Sequence, residues 1–212
     1  MTLAIKYGLR SLKPRPLFHL APLWFWAKSM EQEFLTAVKW GDYPFAPYGL
    51  LMRESISTAH PGTLALNIPR EIAHHVSRDG PAALSFHQRS FLPPIWERGG
   101  IQYYERFESA MKGHAPKDKL DHYFWAQSLW DDTMAWRATR HHGPLDTLTI
   151  IVGEFHAEFN HGLPARLRRY GAQDVRSMIQ VAITAKDSLE EAVKADAQYG
   201  ERADYIWTFS TD

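Results

Sequence analysis

Two stretches of the chain concentrate groups that could do chemistry. The first, GEFHAEFNHG at residues 153–162, sets two carboxylates and two imidazoles directly behind the apolar run LTIIV. If residues 154–158 stay extended, Glu154, His156 and Glu158 project to one side, because side chains alternate along a strand. A histidine between carboxylates can bind a divalent metal, or carry a proton with its tautomer set by a neighbour. Glu154 and His156 are therefore the candidates for metal binding and for catalysis, against the plainer reading of a solvated turn. The second stretch is AQSLWDDTMAW at residues 126–136. On a helical wheel Gln127 and Asp131, one turn apart, fall within the face that carries Phe124, Met134 and Ala138. A carboxylate in an apolar stripe must be paired or hydrogen-bonded, so Asp131 either anchors a backbone turn or lines a pocket.

Other polar groups are less specific. Arg166, Arg168 and Arg169 fall on the helix after the first stretch, where Arg166 could meet a carboxylate or an acidic ligand such as a haem propionate. Arg70 could do the same beside Asn67. Solvated faces account for such arginines equally well. The pairs His74-His75 and His141-His142 point about 100° apart on a helix and make poor joint ligands. Most of the 8 Trp, 9 Tyr and 11 Phe must be core, yet a flat cofactor would find surfaces among them. Tyr43, Tyr48, Tyr103, Tyr104 and Tyr170 could each supply a phenolate to haem iron. No HExxH helix, glycine-rich phosphate loop or nucleophile elbow strengthens an enzymatic reading.

The elements that must hold these groups follow from periodicity. Helices are predicted at 29–40, 50–59, 70–78, 82–91, 101–112, 119–142, 163–170 and 188–197, and strands at 62–67, 147–152, 175–184 and 205–209. The helix at 119–142 carries apolar residues on opposite faces, Leu120 and Phe124 on one and Trp125 and Leu129 on the other, so it should be covered on both sides. Strands alternating with helices predict an α/β fold with a mainly parallel sheet and helices on both faces. Ligands of such sheets gather at the carboxyl ends of strands. Asn67 and the residues from Gly153 stand at two such ends.

Composition narrows the functional classes. The 212 residues suit one domain, and 24 Lys and Arg against 24 Asp and Glu leave no net field for nucleic acid or an anionic membrane. Without cysteine there is no disulfide, no thiolate ligand and no lipoprotein cysteine, and cytoplasm and periplasm both stay open. Residues 1–30 place a basic front before an apolar patch at 16–27, interrupted by prolines and His19. They read as an irregular, divergent segment ahead of a domain at 31–212, too short in apolar run to span a bilayer.

Taken as a set, several pieces carry a family signature: DYPFAPYG at 42–49, LALNIPREIAHHV at 64–76, AQSLWDDTMA at 126–135, IIVGEFHAEFNHGLPARL at 150–167 and ADYIW at 203–207. In order and spacing they resemble the ChaN family of haem-binding proteins, within the group that includes the Tiki and erythromycin-esterase-like proteins. The resemblance implies an α/β fold, haem as ligand, a role in haem or iron handling, often in bacteria, and haem-mediated pairing of two subunits, and the leading expectation is binding without catalysis. By position it marks Asn67, Arg70, Gln127, Asp131, Gly153, His156, Gly162 and Pro164 as shared elements. With Arg166, the first four of these and His156 are the cofactor-binding candidates. Family members usually open with a strand ending in Gly-Glu-x-His. Residues 1–30 lack that motif, so an opening strand and part of the site are expected to be missing or replaced. A metal-dependent hydrolase using Glu154 and His156 is the alternative.

Overall fold

The computed structural model describes residues 3–8, 28–38, 40, 44–57, 63–141, 146–184 and 188–211. The apolar patch at 16–27, Tyr43 and His142 lie outside them. The chain divides into two compact units, one formed by Met1–Ala65 with His141–Ile151 and the other by Leu66–Arg140 with Val152–Asp212.

The first unit holds a three-stranded sheet in the order β2-β1-β3, with β1 at Leu3–Gly8, β2 at Thr63–Ala65 and β3 at Asp146–Ile151. β1 runs antiparallel to both neighbours, pairing Leu3 with Ala65 and with Ile151. Helices α1 (Lys28–Ala37) and α2 (Ala46–Ser57) belong to this unit. Its core is aromatic. Trp40 meets Phe45 edge-on at 4.9 Å and Tyr48 at 5.3 Å, with Met52, Phe34, Leu35 and Ile151 packed around them.

The second unit is built on α6 (Leu120–Arg140), a helix of 21 residues buried on both sides, as its apolar faces predict. α3 (Arg70–Asp79) lays Ile72, Ala73 and Val76 on it, a spacing of one helical face. Ile68, Leu84, Leu92, Ala126 and Leu129 complete that cluster. α3 ends at Gly80, whose φ of 83° lets its N–H return to the Val76 carbonyl at 2.8 Å. The four-residue α4 (Phe86–Arg89) is held by a reciprocal cap between Ser85 and Gln88. On another flank α5 (Ile101–Met111) adds Tyr103 and Phe107 to Leu120 and Phe124. The remaining elements are α7 (Glu154–Ala157), α8 (Leu163–Arg169), β4 (Met178–Ile183), α9 (Leu189–Val193) and β5 (Tyr205–Ser210). β4 and β5 are parallel, joined through α9, with Asp204 bonding the Ser177 N–H and hydroxyl at the start of the pair.

The mixture of helix and strand is as expected, but the sheet is not mainly parallel. Among the described residues, parallel pairing is confined to β4 and β5. The reason is β1, which the sequence reading took as irregular. It lies between β2 and β3 and runs against both, so the two strands whose ends were to share a site are not neighbours. The α2 start also moves back to Ala46, because Pro47 is tolerated in a first turn.

Candidate functional site

Asp131, midway along α6, is completely buried. Its Oδ2 accepts the Tyr103 hydroxyl at 2.8 Å, and its Oδ1 lies 2.7 Å from His156 Nδ1. A carboxylate only accepts, so the His156 proton resides on Nδ1 and the ring donates it to Asp131. Gln127, one turn before Asp131, donates from Nε2 to the Tyr103 oxygen at 2.8 Å, which fixes the direction of the Tyr103–Asp131 bond. The same amide nitrogen passes 3.0 Å from His156 Nδ1 and 3.5 Å from Nε2. The first separation brings two donors together, and the second is too long for a strong bond. The Nε2 lone pair of His156, on a side chain 14% exposed, is thus the open valence of the group. Burial and the charge of Asp131 push the Tyr103 phenol well above its ordinary range, so Tyr103 stays protonated.

The segment that carries His156 is not extended. Residues 154–157 form the single helical turn α7, and Glu158 follows in extended backbone. On a helix, positions four apart align. Glu154 and Glu158 therefore turn together toward Arg202, whose Nη2 lies 2.8 Å from Glu154 and 2.7 Å from Glu158, while His156 is bonded to Asp131. Glu158 also receives Arg106 at 2.7 Å. That guanidinium is buried, 4.7 Å from the Phe155 ring and 4.3 Å from the Phe159 ring. Burial and the neighbouring Glu158 raise the Glu154 pKa, against the pull of Arg202.

Beyond the clamp, Phe159 and Asn160 adopt left-handed backbone with φ of 55° and 59°. Such residues need compensating contacts, which Phe159 finds in Arg106 and in its N–H bond to the Arg202 carbonyl at 2.7 Å. The turn then reaches Gly162. A Cβ there would lie 2.6 Å from the His156 carbonyl oxygen and 2.9 Å from the Tyr103 hydroxyl, so only glycine lets the chain pass. A Cβ at Gly153 would meet nothing nearer than 3.7 Å. Burial lowers the His161 pKa, with Arg106 adding to the effect, and its Nδ1 is buried without a hydrogen-bond partner.

Of the residues singled out in sequence, Gln127, Asp131 and His156 are brought into direct contact. Glu154 is drawn off to Arg202, and Arg70 is exposed with no bond to the group. Asn67 gives its main-chain oxygen to Arg137 at 2.5 Å. Arg166 is buried beside Asp132, with Nε 3.4 Å from its Oδ1, and donates to the Glu97 carbonyl. Asp132 itself went unflagged in the sequence, although a helix covered on both sides must bury it too. It is fully buried, accepts the Glu97 N–H at 2.8 Å and pairs with Arg169. Burial still pushes it up to about 6, against the pull of the Glu97 N–H, Arg166 and Arg169. Tyr103 had been noted only as one of five tyrosines, and Arg202 not at all. Among the described residues no group of three or more His, Asp and Glu side chains is placed to hold a metal ion.

The model of one family matches residues 21–167, well over half of the chain, and its description reads haem-binding uptake, Tiki superfamily, ChaN. The chain belongs to the ChaN family. No curated protein and no solved structure matches it. The ChaN match takes in Tyr103, Gln127, Asp131, His156 and Gly162, and stops short of Arg169 and Arg202. The buried contact group is therefore a feature of the ChaN part of the chain, while its outer clamp draws on residues beyond it. Among the described residues no helix is long and apolar enough to cross a membrane.

Proposed function

We propose that this ChaN-family protein binds haem, serving haem or iron handling rather than catalysis, with His156 Nε2 as its ligand to iron. The observation that carries this reading is the 2.7 Å contact from His156 Nδ1 to the fully buried Asp131. Ligating histidines characteristically give their other ring N–H to a carboxylate, which fixes the tautomer, orients the ring and raises its basicity. Haem would suit a single such ligand, since the porphyrin itself supplies four nitrogens to the iron and histidine is a common protein partner. Trp130, 6.1 Å from the His156 ring, offers an aromatic surface beside that position. Tyr103 and Tyr170 are engaged otherwise, donating to Asp131 and to the Ile95 carbonyl at 2.6 Å, and both phenols are shifted upward by burial. Gln127 and Asp131 act through His156 rather than on the ligand.

Hemin titrated into the purified protein should give a saturable Soret band distinct from that of free hemin. His156→Ala should weaken binding at least tenfold and shift the band. A free-hemin spectrum with stoichiometric wild-type protein would overturn the proposal. Divalent metal retained through purification, with hydrolytic activity lost in His156→Ala, would instead favour the hydrolase reading, which must detach Glu154 from Arg202.

A further inference from the structure

Three buried polar atoms in the second unit lack a hydrogen-bond partner near α6: Trp130 Nε1, Thr133 Oγ1 and Asn67 Oδ1. Thr133 is completely buried. Buried polar groups are nearly always satisfied, so unpartnered donors mark places where water or a ligand binds. On a helix, positions 130, 133 and 137 fall within roughly 60° of arc at about 100° per residue. Trp130, Thr133 and Arg137 thus share one face. Arg137 is itself under-used: its guanidinium carries five N–H donors, and its one described bond goes to the Asn67 main-chain oxygen. Burial lowers its pKa, and among the described residues no carboxylate pairs with it to offset the cost. A half-buried cation without an anion is costly. At its upper end this strip meets His156, through the Trp130 ring 6.1 Å away.

We infer that Thr133 and Arg137 form a donor site for a carboxylate on the ligand that His156 holds, with the Trp130 ring beside the imidazole. A hydroxyl and a guanidinium match a carboxylate, which has lone pairs to fill and a charge to neutralise. Arg137 stands two helical turns from Trp130, about 10 Å along the axis at 1.5 Å per residue, which sets the carboxylate well away from the imidazole. A planar macrocycle anchored at its centre and acidic at its rim meets that demand, whereas a bare metal ion does not. The inference rests on the reading of His156 as the iron ligand.

The test compares hemin with hemin dimethyl ester, whose carboxylates are esterified, by Soret titration of the full chain. Arg137→Gln should weaken hemin at least tenfold and leave the ester within about twofold of wild type. Thr133→Val, which removes one donor with little change of shape, should weaken hemin three- to tenfold with the same insensitivity for the ester. His156→Ala should weaken both ligands alike. If Arg137→Gln leaves hemin unchanged, or weakens hemin and ester equally, the carboxylate site is wrong and water fills the strip. If His156→Ala leaves both ligands unaffected, the reading of the iron ligand fails instead. Thermal melts of each apo variant separate these outcomes from misfolding.

Discussion

Asp131→Asn is the most informative single change, because it keeps volume and shape while turning one acceptor oxygen into a donor. Asp131 now accepts from Tyr103 at 2.8 Å and from His156 at 2.7 Å. An asparagine can accept from only one of them. If its NH2 faces Tyr103, the phenol proton loses its acceptor inside a site from which water is excluded. If it faces His156, the ring must present a bare Nδ1 and carry its proton on Nε2, which removes the lone pair offered to a ligand. Either way one buried bond to a charged group is lost, about 1.5–3 kcal/mol, and urea denaturation should show a loss of about 2 kcal/mol at unchanged m-value. The second outcome also predicts hemin binding 10–100-fold weaker, the usual effect of changing the group behind a metal-bound histidine. Tyr103→Phe is the control, since it removes a bond to Asp131 without touching the imidazole. It also strips Gln127 of an acceptor, so it should cost about 1.5–3 kcal/mol of stability and little hemin affinity. Wild-type hemin affinity in Asp131→Asn, or an equal loss in Tyr103→Phe, would refute the argument that Asp131 acts by setting the histidine tautomer.

Two further outcomes follow from the same geometry. Gly162→Ala should destabilise by about 1–3 kcal/mol, the range for forced overpacking, because the new methyl meets the His156 carbonyl at 2.6 Å. Gly153→Ala, whose new methyl would meet the His156 ring at 3.7 Å, should lie within about 0.5 kcal/mol of wild type, and equal melting shifts for the two would dismiss the steric reading. Asp132, raised to about 6, binds its proton more tightly folded than unfolded. Its contribution to stability is therefore greatest below about pH 4 and is lost as pH rises through 6, by at most about 3 kcal/mol. Unfolding free energies at pH 4.5 and 7 should differ less in Asp132→Asn than in wild type, and an unchanged difference would contradict the assignment.

How much of this was legible in sequence depended on whether the deciding contact was local. Asp131 stood out because a charge inside an apolar stripe contradicts its own helix. Gln127 shared its face, and both reached the site. The common face expected of Glu154, His156 and Glu158 in an extended run is not what forms, because residues 154–157 are helical and both glutamates meet Arg202, 44 residues beyond Glu158. No pattern within GEFHAEFNHG announces that partner. Arg166 misled in the other direction, since it serves Asp132. β1 escaped notice because its six residues alternate too weakly to separate from a basic, apolar leader, and its place between β2 and β3 is what divides the expected sheet.

The clamp on α7 also has a temporal meaning. Asp131, Gln127 and Tyr103 leave the ribosome before His156, so the imidazole can find its carboxylate as soon as α7 emerges. Arg202, which ties down both glutamates of that turn and accepts the Phe159 N–H, arrives more than forty residues later. Until then the turn has its inner bond and, on its outer side, Arg106 alone against Glu158 and the Phe159 ring. A nascent chain can therefore pair His156 with Asp131 before Arg202 is there to fix the turn that carries the imidazole.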